Sequence, residues 1–182
     1  MVTSKWLDRM IFLETVAGVP GMCGAMTRHL HSLRTMKRDR GWIATLLAEA
    51  ENERMHLMTF INERKESGIL FRGAILVTQG LVWNAYFLAY LASPRFCHAF
   101  VGYLEEEAVT TYTKALKAID SGSLQQWKTH PASEIARKYW HLPEGATFRD
   151  VIQQVRADEA VHSRVNHTLS RTPDGQANPF LH

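Results

Sequence analysis

Apolar residues recur along this chain at helical spacing, and no segment alternates apolar and polar positions as a half-buried strand would. Leu7, Met10, Ile11, Leu13, Val16 and Ala17 mark one face of a first helix over about 5–33. Pro20, with Gly18, Gly21 and Gly24 around it, predicts a kink there, because proline lacks a backbone donor and crowds the preceding turn. A second stretch, about 41–67, is rich in Ala, Leu, Glu and Met, and Ser67-Gly68 closes it. Arg64 and Lys65 fall in its predicted last turn, where cations favour the negative end of the helix dipole. A third helix is expected over about 70–92, up to Ser93-Pro94, and a fourth over about 95–120, up to Ser121-Gly122. From Leu124 to Thr147 the pattern is broken by Pro131, Pro143 and Gly145 into loops and short helices. A last helix is predicted over about 148–170 with Thr147 as its cap, and 171–182 reads as a loose tail. The pattern predicts an all-α bundle in a single domain of 182 residues.

The third helix differs from the rest. Gly73 to Pro94 contains no charged residue, a length that reaches a bilayer span. Gln79, Gly80 and Asn84 interrupt it, so an interfacial or buried helix is the alternative. Composition adds less. The net charge is +3 and the pI about 9.0, too diffuse to argue nucleic-acid binding. Two cysteines, Cys23 and Cys97, make neither a disulfide framework nor a C-x-x-C site. Met1–Trp6 carries neither a signal-peptide nor a transit-peptide pattern. Nine histidines are many for this length, and histidine both titrates near neutrality and binds transition metals.

Two of those histidines stand in Glu-x-x-His elements, Glu53-Arg54-Met55-His56 and Glu159-Ala160-Val161-His162. On a helix, positions i and i+3 share a face, so each element aims a carboxylate and an imidazole at one point. Either alone also fits a solvated helix face. Two further acids raise the stakes. Glu14 sits within the apolar run Ile11 to Ala17, where an unpartnered carboxylate must neutralise or bind a cation. Glu105-Glu106-Glu107 places three like charges in series. Glu105, Ala108, Val109 and Tyr112 form one helical stripe, whereas Glu106 and Glu107 are rotated off it, so Glu105 is the candidate. One Glu from each of two helices plus Glu-x-x-His from each of two others is the ligand set of di-iron and di-manganese carboxylate four-helix bundles. Four carboxylates with imidazole suit two divalent iron or manganese ions. The expected fold is therefore a ferritin-like four-helix bundle with a carboxylate di-iron site, plus an apolar membrane-surface helix. A shared site before and after the charge-free segment argues against a crossing, so that helix is expected to lie along a bilayer face or pack within the protein. The basic stretch Arg28 to Arg40 reads equally as a partner for anionic head groups or as a solvated turn.

Leu13-Glu14-Thr15, Asn52 to Leu57, Leu104 to Ala108 and Arg156 to His162 resemble, in order, the four signature blocks of the alternative oxidases. The resemblance runs from about Trp6 to Leu169. It implies a cyanide-resistant, non-proton-pumping ubiquinol oxidase that reduces dioxygen to water at two non-haem Fe ions per chain. Val16 to Met22 looks more like the ubiquinol enzymes than their plastoquinol-oxidising cousins. By the resemblance, Glu14, Glu53, Glu105 and Glu159 are the iron carboxylates, with His56 and His162 beside them, and Tyr112 is a redox-active tyrosine. Asn52, Asp158 and Trp140 match residues just outside the ligands. Arg9, Leu13, Ala108 and Thr111 match the quinol pocket. The family implies a monotopic homodimer on the matrix face of the mitochondrial inner membrane, or the cytoplasmic face of a bacterial plasma membrane, with no nucleic-acid partner. The chain reads as starting at the first ligand helix, without the family's N-terminal arm and amphipathic helix, and neither Cys23 nor Cys97 inherits a regulatory role. A soluble ferritin-like di-iron oxidase or peroxidase, and a non-enzymatic iron-binding or membrane-surface bundle, are the alternative readings of the residues.

Overall fold

The computed structural model describes residues 2–64, 67–173 and 175–180. Among them the elements are α1 (Val2–Thr35), α2 (Trp42–Glu63), α3 (Ile69–Ala92), α4 (Pro94–Asp120), α5 (Gln126–Thr129), α6 (Glu134–Tyr139) and α7 (Phe148–Arg171). No strand occurs among the described residues, only an isolated bridge between Pro131 and Thr147. α1 packs along α2 and α4 along α7, and α3 closes one side against α1 and α4.

Local chemistry sets most boundaries. Ser93 caps α4 by accepting from the Phe96 N–H, with Pro94 at the first helical position, where its missing donor costs nothing. Thr147 and Asp150 form a reciprocal capping box at the start of α7. α2 ends earlier than its composition predicts. Arg64 leaves the helix in an extended conformation and bonds Asp8 of α1 at 2.7 Å instead of serving the helix dipole. Lys65 lies outside the described residues.

α1 continues through Pro20 as one helix. The neighbouring glycines let it approach α2 closely. A Cβ on Gly21 would stand 2.7 Å from the Leu46 carbonyl oxygen and 3.2 Å from the Ala50 nitrogen. The segment expected to be a loose tail is docked over its described part. The Asn178 N–H donates to the Arg40 carbonyl at 3.0 Å and its side-chain amide to the Gly41 carbonyl at 3.1 Å. Trp42 Nε1 donates to the Gln176 carbonyl at 3.0 Å, and Phe180 packs against the apolar group that contains Trp42, Leu46 and Leu169. The turn at Gly41, which has φ +86°, exposes carbonyls that this segment satisfies. Asp174, Leu181 and His182 of the expected tail lie outside the described residues.

The core is divided. Met10, Ile11, Phe60, Tyr112, Ile119, Phe148, Ile152 and Val155 fill one end of the bundle. Cys23, Tyr86, Tyr90, Cys97 and Val101, with the Trp42–Leu46–Val165–Leu169 group, fill the other. On α1, α2, α4 and α7 alike, a buried acidic position falls between the two.

α3 is the exception in burial. Its apolar window is only 11% buried, against 61% for the equally apolar α1, so α1 is a core helix and α3 is not. Ile69, Leu70, Leu76, Val77, Leu81, Leu88 and Leu91 are exposed. The expectation that α3 packs within the protein does not hold, because only one edge, carrying Tyr86 and Tyr90, turns inward.

Gly21→Ala should destabilise the fold by about 1–3 kcal/mol, because its new methyl meets backbone that cannot move aside. Gly80→Ala meets nothing within 4 Å and should be neutral or stabilising by up to about 1 kcal/mol through helix propensity. Denaturant unfolding of the two variants checks the contrast, and equal stabilities would contradict it.

Candidate metal centre

Glu14 on α1, Glu53 and His56 on α2, Glu105 on α4, and Glu159 and His162 on α7 converge between the two halves of the core, and all six are buried. Their donor atoms form two overlapping quartets. Glu14, Glu53, His56 and Glu159 lie within 4.8 Å of one another, as do Glu53, Glu105, Glu159 and His162. Glu53 and Glu159 are common to both. Of the three adjacent acids on α4, Glu105 enters the cluster, while Glu106 and Glu107 are exposed.

The contacts within the cluster are short, yet few are hydrogen bonds. His56 Nδ1 lies 3.3 Å from Glu14 Oε2, 3.5 Å from Glu53 Oε2 and 3.4 Å from Glu159 Oε1. His162 Nδ1 is 2.7 Å from Glu53 Oε1 and 3.9 Å from Glu159 Oε2. Nevertheless Glu14 Oε2, both Glu53 oxygens, His56 Nδ1 and Glu159 Oε2 are buried without a hydrogen-bond partner. A buried unpaired polar atom costs about 1–3 kcal/mol. Orphaned oxygen and nitrogen donors crowded around common points are what a divalent cation requires, and the hard-oxygen and imidazole set fits iron or manganese. The residues present fit a metal pair.

Electrostatics agrees. Burial, then the Glu53 charge, pushes Glu14 up to about 8 and Glu105 up to about 7, and raises Glu159 well above the carboxylate range. Burial also opposes ionisation of Glu53, but His56 and His162 outweigh it and hold Glu53 below its usual value. Burial disfavours protonated imidazole as well, yet the carboxylates lift His56 well above its normal range and His162 to about 9. Without a cation, the cluster keeps protons on its acids.

The residues expected just outside the ligands form one network behind His56. Asp158 Oδ2 lies 3.2 Å from His56 Nε2 and accepts from Trp140 Nε1 at 2.8 Å and Asn52 Nδ2 at 3.1 Å. These hydrogen bonds outweigh burial and keep Asp158 ionised below its usual value. Sequence reasoning missed Tyr139, whose hydroxyl accepts from Asn52 Nδ2 at 2.8 Å; nothing in its local pattern marks it. Tyr112 is buried and its hydroxyl donates to Glu14 Oε1, with Phe60 stacked on its ring at 6.1 Å. Burial and the Glu14 charge raise its pKa well above normal, so it holds its proton.

The four residues expected at a quinol pocket stand on α1 and α4. Arg9 and Leu13 are exposed on α1, while Ala108 is half-buried and Thr111 buried on α4. None lines the cavity of about 500 Å3 that reaches Glu14; Thr15, Gly18, Val19, Leu57, Gln79 and Trp83 do.

The family model described as "Alternative oxidase" matches residues 1–171. A relative from Emericella nidulans named "Alternative oxidase, mitochondrial" is 57% identical over 182 residues, covering 99% of this chain and 51% of the relative. One of the same name from Aspergillus niger is 60% identical over 170 residues, 93% of this chain and 48% of the relative. Another, from Trypanosoma brucei brucei, is 56% identical over 182 residues, 98% of this chain and 55% of the relative. The chain spans about half the length of the curated relatives it matches.

The protonated cluster predicts an unusual pH dependence for the metal-free protein. Glu14, Glu105, Glu159, His56 and His162 all bind protons more tightly folded than unfolded. Stability should therefore fall as pH rises from about 5 to about 9, the interval between the unfolded carboxylate values and the folded His162 value. Added Fe(II) under anaerobic conditions should remove or reverse that slope, because cations replace protons. Thermal unfolding across this range is the check, and metal-free stability that rises towards pH 9 would contradict the arrangement.

Proposed function

The chain belongs to the alternative oxidase family, and from that premise we propose that it forms the di-iron core of a mitochondrial ubiquinol oxidase reducing dioxygen to water. The observation that carries the reading is the pair of donor quartets sharing Glu53 and Glu159. Glu53 and Glu159 would help to hold both ions, with Glu14 and His56 completing one donor set and Glu105 and His162 the other. Iron held there supplies dioxygen activation and electron storage. Two quinols yield four electrons and four protons, which balance one dioxygen reduced to two waters.

The chain's own side chains prepare that chemistry in several ways. Asp158 holds His56 in one orientation, and Asn52 and Trp140 fix Asp158 in turn. Tyr112 donates to Glu14, and in this reading it would give a proton and an electron at its hydroxyl oxygen. The two apolar core groups flanking the cluster exclude water and limit the escape of partly reduced oxygen. Arg9, Leu13, Ala108 and Thr111 remain the proposed quinol contacts, on the resemblance alone.

The exposed apolar face of α3 supports a monotopic seat on the inner membrane. α3 connects Glu53 and His56 before it with Glu105 after it, and these reach one cluster, which argues against a crossing by α3. That face also favours the membrane enzyme over a soluble ferritin-like oxidase or an iron-storage bundle, which have no use for it. The matrix side of the membrane and a homodimeric state belong to the same proposal.

Iron-loaded protein should consume oxygen with a ubiquinol analogue in the presence of cyanide. Tyr112→Phe should fold and load iron with a stability loss of about 1–2 kcal/mol for the missing hydrogen bond, yet turn over very little. Oxygen uptake, thermal unfolding and iron content measured together decide this. Near-normal turnover in Tyr112→Phe would leave the tyrosine a packing residue, and loaded wild-type protein inert to quinol would overturn the oxidase reading.

A further inference from the structure

A second polar feature stands apart from the metal centre, at the corner where α1 turns into α2. A cavity of about 470 Å3 lies there, against the junction of α3 and α4. Arg28, Arg34, Lys37, Arg38, Arg40 and Arg95 line it. Asp39 is the one acid among the described lining residues, and both its oxygens are engaged. Oδ1 accepts from Arg28 Nε and Oδ2 from the Ile43 N–H, each at 2.7 Å.

The walls are held by the fold. The Arg28 guanidinium, besides its bond to Asp39, lies 4.4 Å over the Trp42 ring. Met36 and Arg40 take left-handed backbone conformations, with φ +53° and +61°, and the Ser32 hydroxyl donates to the Lys37 carbonyl. These features shape the turn that presents Lys37 and Arg38. Arg40 donates to the Gly175 carbonyl, and the buried Tyr90 and His98 supply the α3–α4 side of the lining.

Little meets the charge of this cavity. Lys37 and Arg38 are exposed, and neither side chain has a partner among the described residues. Arg34 Nη2 lies 3.4 Å from His31 Nδ1 and Arg40 bonds a carbonyl, so neither is paired with a carboxylate among the described residues. A concave surface walled by one sign of charge concentrates ions of the other sign. Guanidinium and ammonium groups around one cavity suit a group with several anionic oxygens, which is a phosphate rather than a carboxylate. Leu91 also lines the cavity and is exposed, as are Leu88 before it on α3 and Phe96 beyond the corner. The cavity therefore stands where the exposed apolar face of α3 ends.

We propose that this cavity binds the phosphate group of one anionic phospholipid, whose acyl chains lie along α3. The lipid source rests on the membrane seat proposed for α3, whereas the phosphate chemistry rests on the cavity alone. Arg28 is a fixed wall, already spent on Asp39 and Trp42. Lys37 and Arg38 carry the charge that the ligand meets. A discrete site of this kind differs from the diffuse attraction of a basic protein to an anionic surface, because it depends on which charges are removed and not only on how many.

Binding of the whole chain to phosphatidylcholine vesicles with and without phosphatidylglycerol, and to inorganic phosphate in solution, tests the assignment. Lys37→Gln with Arg38→Gln removes two exposed, unpartnered charges and should leave the unfolding midpoint in place. It should weaken binding to the anionic vesicles about tenfold or more and remove binding of inorganic phosphate. Lys114→Gln with Lys117→Gln removes the same charge from exposed positions near the far end of α4, and should change either binding by less than about twofold. If the first variant does not fold, Arg34→Gln with Arg38→Gln should show the same losses. Equal losses in the cavity and control variants would mean diffuse attraction and overturn the site. Phosphate binding lost only in the cavity variant, with anionic-vesicle binding unchanged, would overturn the lipid source and leave the cavity to a soluble phosphate ester. Wild-type protein that binds inorganic phosphate but neither kind of vesicle would overturn the membrane seat of α3 itself.

Discussion

Four carboxylates and two imidazoles are buried at one level of a helical bundle, and the rest of the structure answers to that burial. Ionised carboxylates removed from water and left unpaired would cost far more than a domain's net stability. Burial and the Glu53 charge raise Glu14 to about 8 and Glu105 to about 7, and the carboxylates raise His162 to about 9, so in the absence of cations the cluster keeps protons. The orphaned oxygens of Glu14, Glu53 and Glu159 show that protons alone do not satisfy the site. The fold therefore holds a set of donors whose natural complement is a pair of cations.

Holding such a set requires rigid surroundings. Apolar groups above and below the cluster fix the four helices that carry it, and α1 is drawn onto α2 at Gly21, where a side chain would strike the Leu46 carbonyl. The polar groups around the cluster are equally constrained. Asp158 collects three donors on one side, and Asn166 bridges Glu49 to the His162 turn on the other. α3 contributes one inward edge, whose Tyr90 hydroxyl bonds His98 Nε2, and leaves its remaining surface apolar and exposed. A buried donor cluster and an exposed apolar face thus stand on one small bundle.

Much of this was legible in the sequence because it depends on helical spacing. The i, i+3 Glu-His pairs, Glu14 in its apolar run and the Glu105–Tyr112 stripe each encode a direction as well as a residue type. Thr147 and Ser93-Pro94 announced their helix ends by side-chain chemistry. What was not legible depends on contacts between distant segments. Arg64 ends α2 because Asp8 is beside it in space, and residues 175–180 dock because the turn at Gly41 offers free carbonyls. Tyr139 and Asn166 act through partners that no local pattern reveals. The basic stretch from Arg28 contains its own pairing, since Arg28 bonds Asp39 at 2.7 Å and lies over Trp42, so it is in part a folded corner.

In the proposed centre Glu53 and Glu159 are shared between two metal ions. Electron paramagnetic resonance of the protein loaded anaerobically with Mn(II) addresses it directly, because ions bridged by carboxylates are coupled through them and isolated ions are not. Shared carboxylates predict the spectrum of an exchange-coupled Mn(II) pair at two ions per chain. The hyperfine pattern of independent Mn(II) ions at full loading would contradict it.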